Sequence, residues 1–297
     1  MTKSLTGIFA PITTPFVNDE VSFEHLEANM RKYKHSPLNG FFALGSNGES
    51  KSLTEDEKLK VLEIVLRERG DHQLVMAGTG YESTRQTIAF SKKVAAMGAD
   101  FVSVVTPSYF KKRLTDEAMI AYYGDVADAL SIPVLAYNAP GFTGMALSTN
   151  VVLKISQHPN IAGMKDTSAG NICSYLDACG DDFNILAGTI STLFTAMLLG
   201  ATGGVVSLAD AFPDPCLELF VKCNTGDIRG ARKIHNILFR LNHSVSGSYG
   251  VAGVKYAMEL AGYHGGDPRL PLLPLKPGDR RLVREAVEQT GIPIAVQ

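Results

Sequence analysis

Short, uninterrupted apolar runs alternate along this chain with longer stretches in which apolar positions recur at helical spacing and the opposite face carries Lys and Glu. An apolar run without polar alternation predicts a strand buried on both faces, as in a parallel sheet covered by helices. The runs are Gly7–Pro11, Gly40–Leu44, Leu74–Ala77, Phe101–Thr106, Val134–Tyr137, Ile161–Lys165, Asn184–Ala187 and Val205–Leu208. The stretches between them carry helix start signals. Thr54-Glu55-Asp56-Glu57 predicts a helix opened by a capping box, and Thr115-Asp116-Glu117 predicts another. Gly70, Gly98 and Gly200 are expected to end helices in the left-handed conformation.

Strands each followed by a helix, at a repeat of roughly thirty residues, fit a closed parallel (β/α)₈ barrel, the TIM barrel of the α/β class. Periodicity does not show closure, so an open doubly wound sheet is the alternative. Past the last run, Ile228–Ser246, Val251–Leu260 and Arg280–Glu288 predict further helices. Residues 1–225 are therefore read as the barrel and 226–297 as a helical C-terminal extension packed on it. The turn-rich segment Asp267-Pro268-Arg269-Leu270-Pro271 has no linker composition that would free the extension.

Composition narrows the classes. The chain has 297 residues, 45% of them hydrophobic and 20% charged, enough for a sizeable core without disulfide or metal staples. A formal net charge of −2, with no basic block longer than Lys111-Lys112-Arg113, argues against nucleic acid and an anionic membrane as partners. Cys173, Cys179, Cys216 and Cys223 form no C-x-x-C pair and read as buried thiols of a reducing compartment. Met1-Thr2-Lys3-Ser4-Leu5 leads into no long apolar core or cleavage pattern, so a cytoplasmic location is expected. Ile185 to Ala209 carries no charge and is long enough to span a bilayer. Gly188, Gly200, Gly203 and Gly204 divide it, however, into what reads as a buried strand, helix and strand.

In such a barrel the active site lies at the C-terminal ends of the strands. Lys165 closes the apolar run Ile161-Ala162-Gly163-Met164, and a lysine there is either paired with a carboxylate such as Asp166 or held uncharged. An uncharged amine is a nucleophile for a carbonyl carbon, and burial favours that form. Tyr137 ends the preceding run and reads either as packing or as a proton carrier facing Lys165. The Gly45-Ser46-Asn47-Gly48-Glu49 turn is a simple βα connection or a cradle of N–H groups for a small carboxylate. Gly78-Thr79-Gly80-Tyr81-Glu82-Ser83 lacks the third glycine of a dinucleotide fingerprint, and no Walker A, G-x-S-x-G or H-E-x-x-H sequence occurs. His25, His35, His72 and His235 fall in or beside predicted helices, so no metal-ligand set can be assembled at the strand ends.

Five motifs in order on successive strands carry a family resemblance: the Gly45–Glu49 turn, Val105-Thr106-Pro107-Ser108-Tyr109, Tyr137-Asn138-Ala139-Pro140, Gly163-Met164-Lys165-Asp166, and Gly200-Ala201-Thr202-Gly203-Gly204-Val205-Val206-Ser207. From Gly7 to about Leu275 the sequence resembles the dihydrodipicolinate synthase/N-acetylneuraminate lyase family of pyruvate-handling barrels. The resemblance implies that Lys165 forms the Schiff base, that Tyr137 carries protons, and that Ser46 and Asn47 hold the pyruvate carboxylate. It implies that Val206 lines the pyruvate pocket and Gly188 borders the substrate. It further implies that Tyr109 reaches into a neighbouring subunit's site, hence a homo-oligomer, dimer or tetramer. No metal and no cofactor beyond the covalent imine are expected, and the partner is a small 2-oxo acid.

The departures bear on the substrate. The synthases of the family carry two adjacent threonines where this chain has Ser46-Asn47, and an arginine where it has Phe142. A phenyl ring does not replace a bidentate carboxylate clamp. The Ser46-Asn47 turn, Ser156-Gln157-His158-Pro159-Asn160-Ile161 and Gly262-Tyr263-His264-Gly265-Gly266 are most similar to 4-hydroxy-2-oxoglutarate aldolases. Ser108, Thr143 or Thr167 would then serve a second carboxylate. Tyr137-Asn138-Ala139-Pro140-Gly141 is also similar to aldolases of 2-keto-3-deoxy sugar acids. The expected reaction is class I cleavage of a 4-hydroxy-2-oxo acid, with these and the synthase reaction as alternatives.

Overall fold

Where Gly203 enters its strand, a side chain would lie 2.0 Å from the Gly7 carbonyl oxygen, and at Gly40 one would lie 2.0 Å from that of Leu74. These glycines let neighbouring backbones approach closely enough to pair. In the computed structural model, which describes residues 5–168, 170–181 and 183–295, the resulting sheet is a closed barrel. Its strands are β1 Gly7–Ala10, β2 Gly40–Ala43, β3 Leu74–Gly78, β4 Phe101–Val105, β5 Val134–Asn138, β6 Ile161–Asp166, β7 Asn184–Ala187 and β8 Gly203–Val205. Each pairs in parallel with the next, and β8 closes on β1.

The continuous apolarity of the strands now has a cause, because both faces are buried. In β2 the Phe42 ring enters the barrel with Phe9, Met76, Phe101, Leu135 and Leu186. Phe41 and Ala43 face outward into the larger core between sheet and helices. The covering helices are α1 Phe23–Tyr33, α2 Glu55–Glu68, α3 Thr84–Ala96, α4 Asp116–Asp128, α5 Thr149–Ser156, α6 Ile172–Cys179, α7 Ile190–Leu198 and α8 Pro213–Asn224. The capping box at Thr54 and Glu57 forms, and Thr115 caps α4 through the Ala118 N–H. The charge-free stretch after Ile185 folds as β7, α7 and β8, and among the described residues no helix is long and apolar enough to cross a membrane.

Four expectations are corrected. The last strand is Gly203–Val205, and Ser207–Asp210 forms a 3₁₀ turn, so Val206 and Leu208 are buried without being strand residues. Gly98 and Gly200 adopt positive φ, whereas Gly70 does not and donates its N–H to the Gln73 side chain (2.9 Å). Cys216 alone of the four thiols is buried, while Cys173 is exposed on α6. At the C-terminus, α9 Ile228–Asn242 runs through a π turn, His243–Gly247, into α10 Ser248–Leu260, with Gly250 at φ 55° marking the kink. The last helix, α11 Pro277–Glu288, begins at its proline, whose missing N–H costs nothing in a first turn. Helices α9 and α10 pack against the barrel's final units, and α11 packs on α10. The reading of Met1–Ser4 lies outside the described residues.

Candidate active site

The register of β5 on β6 sets Tyr137 directly beside Lys165. Side chains of paired residues in a parallel sheet share a face, so phenol and amine both enter the barrel mouth. The Lys165 Nζ sits 4.7 Å from the centre of the Phe42 ring and 4.6 Å from that of Tyr137. Lys165 is only 6% exposed. Burial lowers its pKa to about 7, opposed by the Asp210 charge.

Strand geometry also excludes the pairing of Lys165 with Asp166. Successive side chains of a strand point to opposite faces, so Asp166 turns away from the barrel interior. There its carboxylate accepts from Asn138 Nδ2 (2.7 Å) and from the Ser168 hydroxyl (2.7 Å) and N–H (3.2 Å). Among the described residues Lys165 forms no ion pair, so no carboxylate contact holds its amine in the charged form.

The Ser46-Asn47 turn faces this pair. It is held between two residues other than glycine at positive φ, Leu44 at 59° and Glu49 at 50°, conformations that cost energy and persist where surrounding contacts fix them. The Ser46 Oγ and the Tyr137 hydroxyl are 3.3 Å apart. Burial raises the phenol's pKa and the Ser46 contact moderates it. Asn47 donates through Nδ2 to Asp210 Oδ2 (3.2 Å). Asp210 was missing from the sequence-based candidates, although it is the first charged residue after the charge-free stretch that contains β7 and β8.

A cavity of about 570 Å³ reaches Ser46 and Tyr137 and is lined also by Phe42, Thr106, Lys58 and Phe142 among others, whereas Lys165, Asn47 and Asp210 lie behind its lining. Phe142 is 72% exposed at its rim. Lys58, also absent from the sequence-based candidates, donates to the Tyr81 hydroxyl (3.2 Å), and burial lowers its pKa. Thr143 lines the cavity, and its hydroxyl lies within hydrogen-bond distance of the Ala139 and Met145 carbonyls and donates to one of them. Ser108 is tied by its N–H and hydroxyl to Glu82. Thr167 donates to the Asn138 carbonyl (3.0 Å), and the Gly188 N–H donates to that of Asp166 (2.6 Å). Val206 is fully buried. Tyr109 stands apart, 80% exposed and packed edge-on to Phe110, with its N–H held by Glu82. No group of three or more His, Cys, Asp or Glu among the described residues is placed to hold a metal ion.

Comparison with known proteins now adds to this geometry. The profile of the dihydrodipicolinate synthetase family matches residues 4–290. The chain belongs to this family. It is 32% identical over 276 residues to the 4-hydroxy-tetrahydrodipicolinate synthase of Geobacter sulfurreducens, covering 92% of this chain and 94% of the relative. It is 33% identical over 291 residues to that of Bradyrhizobium diazoefficiens, covering 96% and 97%. Among solved structures, dihydrodipicolinate synthase from Aquifex aeolicus superposes with a TM-score of 0.89 at 28% identity, over 98% of this chain and 99% of that one. A prophage protein of E. coli K12 from the dihydrodipicolinic acid synthase family, solved in complex with pyruvate, gives 0.90 at 26%, over 97% and 99%. Members of the dihydrodipicolinate synthetase family hold pyruvate as a Schiff base on a lysine and need no cofactor. The chain is accordingly a class I, pyruvate-dependent lyase of that family.

Proposed function

We propose that Lys165 is the Schiff-base residue and that the enzyme cleaves a 4-hydroxy-2-oxo acid to pyruvate and an aldehyde, with 4-hydroxy-2-oxoglutarate giving glyoxylate. The observation that carries the lysine assignment is its unpaired, desolvated amine on the same rung as the Tyr137 phenol. The neutral amine attacks C2 while Tyr137 protonates the carbonyl oxygen, and loss of water leaves a protonated imine. Removal of the C4 hydroxyl proton then breaks the C3–C4 bond, whose electron pair enters the imine as an enamine. Protonation at C3 and hydrolysis release pyruvate. Ser46 and the N–H groups of its turn hold the C1 carboxylate. Exposed Tyr109 and Phe110 support a homo-oligomer in which Tyr109 serves the neighbouring subunit's site.

Phe142 supports cleavage over the synthase reaction by removing the clamp that the family's synthases use for the semialdehyde carboxylate, and the distal carboxylate of 4-hydroxy-2-oxoglutarate would then be met by another lining group such as Lys58. The synthase reaction is the second reading, favoured by the names of relatives such as those from Geobacter and Bradyrhizobium. Pyruvate release from a panel of 4-hydroxy-2-oxo acids, including deoxy sugar acids, separates the two when run beside condensation of pyruvate with aspartate semialdehyde. Turnover of 4-hydroxy-2-oxoglutarate well above the semialdehyde reaction is expected. The reverse ranking would reject the aldolase reading and leave the lysine assignment intact.

Replacing Tyr137 by Phe is expected to lower kcat by about 10²-fold or more, the scale of a lost general acid–base group. The ring keeps its edge-on packing against Phe42, so the thermal midpoint should hardly move. Unchanged turnover would remove the phenol from the proton path.

A further inference from the structure

The proton bookkeeping of the imine exposes a role for a group outside the steps above. A neutral amine and a ketone become a protonated imine and water only by taking up one proton, so the nitrogen carries a positive charge until the C3–C4 bond breaks, and again from protonation at C3 until hydrolysis. In a buried mouth such a charge is unfavourable unless a counter-charge is already built in. The substrate carboxylate arrives with its own N–H cradle, which leaves the new cation to be balanced from the protein side.

Asp210 is fully buried in the 3₁₀ turn after β8. Its Oδ2 accepts from Asn47, while Oδ1 accepts no hydrogen bond among the described residues. Buried carboxylate oxygens are ordinarily satisfied, so an orphaned one marks either a cost or a function. The groups that act on this carboxyl are Lys165 from β6, the Tyr33 phenol of α1, Cys216 of α8 and Tyr263 of the C-terminal segment. Lys165 is the one cation in that set. Tyr33 also donates its hydroxyl to the Asp210 carbonyl, which anchors the turn. Around Lys165 the titratable groups are the same Asp210 and the Tyr137 phenol.

We propose that Asp210 is the counter-charge of Lys165, giving up its proton as the imine forms and holding the iminium as a carboxylate–cation pair. The inference rests on Lys165 being the Schiff-base residue. With one proton between them the acid and the amine are jointly neutral. Condensation consumes that proton, the carbonyl oxygen leaves as water, and the products are a carboxylate and an iminium, again jointly neutral. Burial raises the Asp210 pKa to about 8, opposed by Asn47 and by Lys165, so a proton is available near neutral pH. Asp210 acts through Lys165 and is a positioning residue.

The test is Asp210→Asn in the full chain, which keeps the side-chain volume and an oxygen for Asn47. Adducts are trapped with pyruvate and borohydride across pH and counted by mass spectrometry. The amount of adduct at equilibrium should fall about tenfold or more, and the alkaline limb of adduct formation should move down by about one pH unit, from the Asp210 pKa to that of Lys165, because the imine must then take its proton from water. A lost hydrogen bond alone would lower stability without moving that limb. If the variant does not fold, Asp210→Ser carries the same expectation. Independently of any variant, difference infrared spectroscopy of the unaltered protein at pH 7 should show a buried protonated carboxyl disappear when pyruvate is added. An unshifted limb, an undiminished adduct or an unchanged carboxyl band would overturn the proposal. Absence of any adduct in the unaltered protein would instead overturn the lysine assignment.

Discussion

Replacing Lys165 by Met is expected to abolish the pyruvate adduct and lower kcat/KM by on the order of 10⁴-fold or more, the scale seen when a covalent nucleophile is removed. Methionine has nearly the same length and lies well between the Phe42 and Tyr137 rings, so the mouth should keep its shape. The variant should also be no less stable. A base whose folded pKa is lowered to about 7, against about 10.4 in the unfolded chain, binds fewer protons folded than unfolded between those values. The folded state therefore loses stability as pH falls through that window, and Met removes the penalty. The same shift sets the pH dependence of the unaltered enzyme. With a pKa of about 7, roughly half the amine is neutral at pH 7, against about one in a few thousand unshifted, so kcat/KM should fall about tenfold per unit below pH 7. Borohydride trapping checks the adduct, and thermal unfolding checks stability. An adduct formed by the variant at the normal rate would remove Lys165 from the chemistry.

The sequence carried the strands because both of their faces are apolar and each run is short and bounded by turn or helix-start signals, which separates it from a buried helix. It misplaced the last strand because Gly203 and Gly204 read as punctuation. The missing side chain of Gly203 is in fact what lets β8 lie against β1, and that of Gly204 leaves room for Leu193 of α7 and the Ala187 carbonyl of β7. Val206 and Leu208 then looked like strand, although they are buried from a 3₁₀ turn. Lys165 and Tyr137 were legible as strand ends, but their shared rung depends on register, which one strand's residues do not encode. The contest between Lys165 as nucleophile and as partner of Asp166 was likewise open until strand alternation separated the two side chains. Asp210 was missed for a related reason: an acid after an apolar run resembles an ordinary loop residue until closure brings β8 round to the Ser46-Asn47 turn.

Replacing Lys255 by Met is expected to destabilise the protein by about 3–5 kcal/mol, the cost of leaving a buried carboxylate without its partner. Lys255 on α10 is fully buried, its Nζ lies 2.6 Å from Glu49 Oε1, and it donates to the Asp267 carbonyl (3.0 Å). Burial lowers the ammonium's pKa and the Glu49 carboxylate opposes that shift. Glu49 also accepts from the Arg269 N–H (2.8 Å), and the Arg269 guanidinium clamps Glu57 with two hydrogen bonds of 2.8 and 2.9 Å, which holds the Glu57 pKa down at about 2. The C-terminal extension thus grips, through Glu49, the strained end of the turn that presents Ser46. Loss of Lys255 should lower the thermal midpoint by roughly 5–8 °C, from the usual entropy of unfolding for chains of this size. It should also raise the KM for the 2-oxo acid more than it lowers kcat, because the turn loosens while Lys165 and Tyr137 stay in place. Pairing Lys255→Met with Glu49→Gln should recover part of the loss, since no buried charge is then left alone. A thermal midpoint unmoved by the single substitution, or a double variant worse than the sum of the two, would show that the pair does not hold the turn.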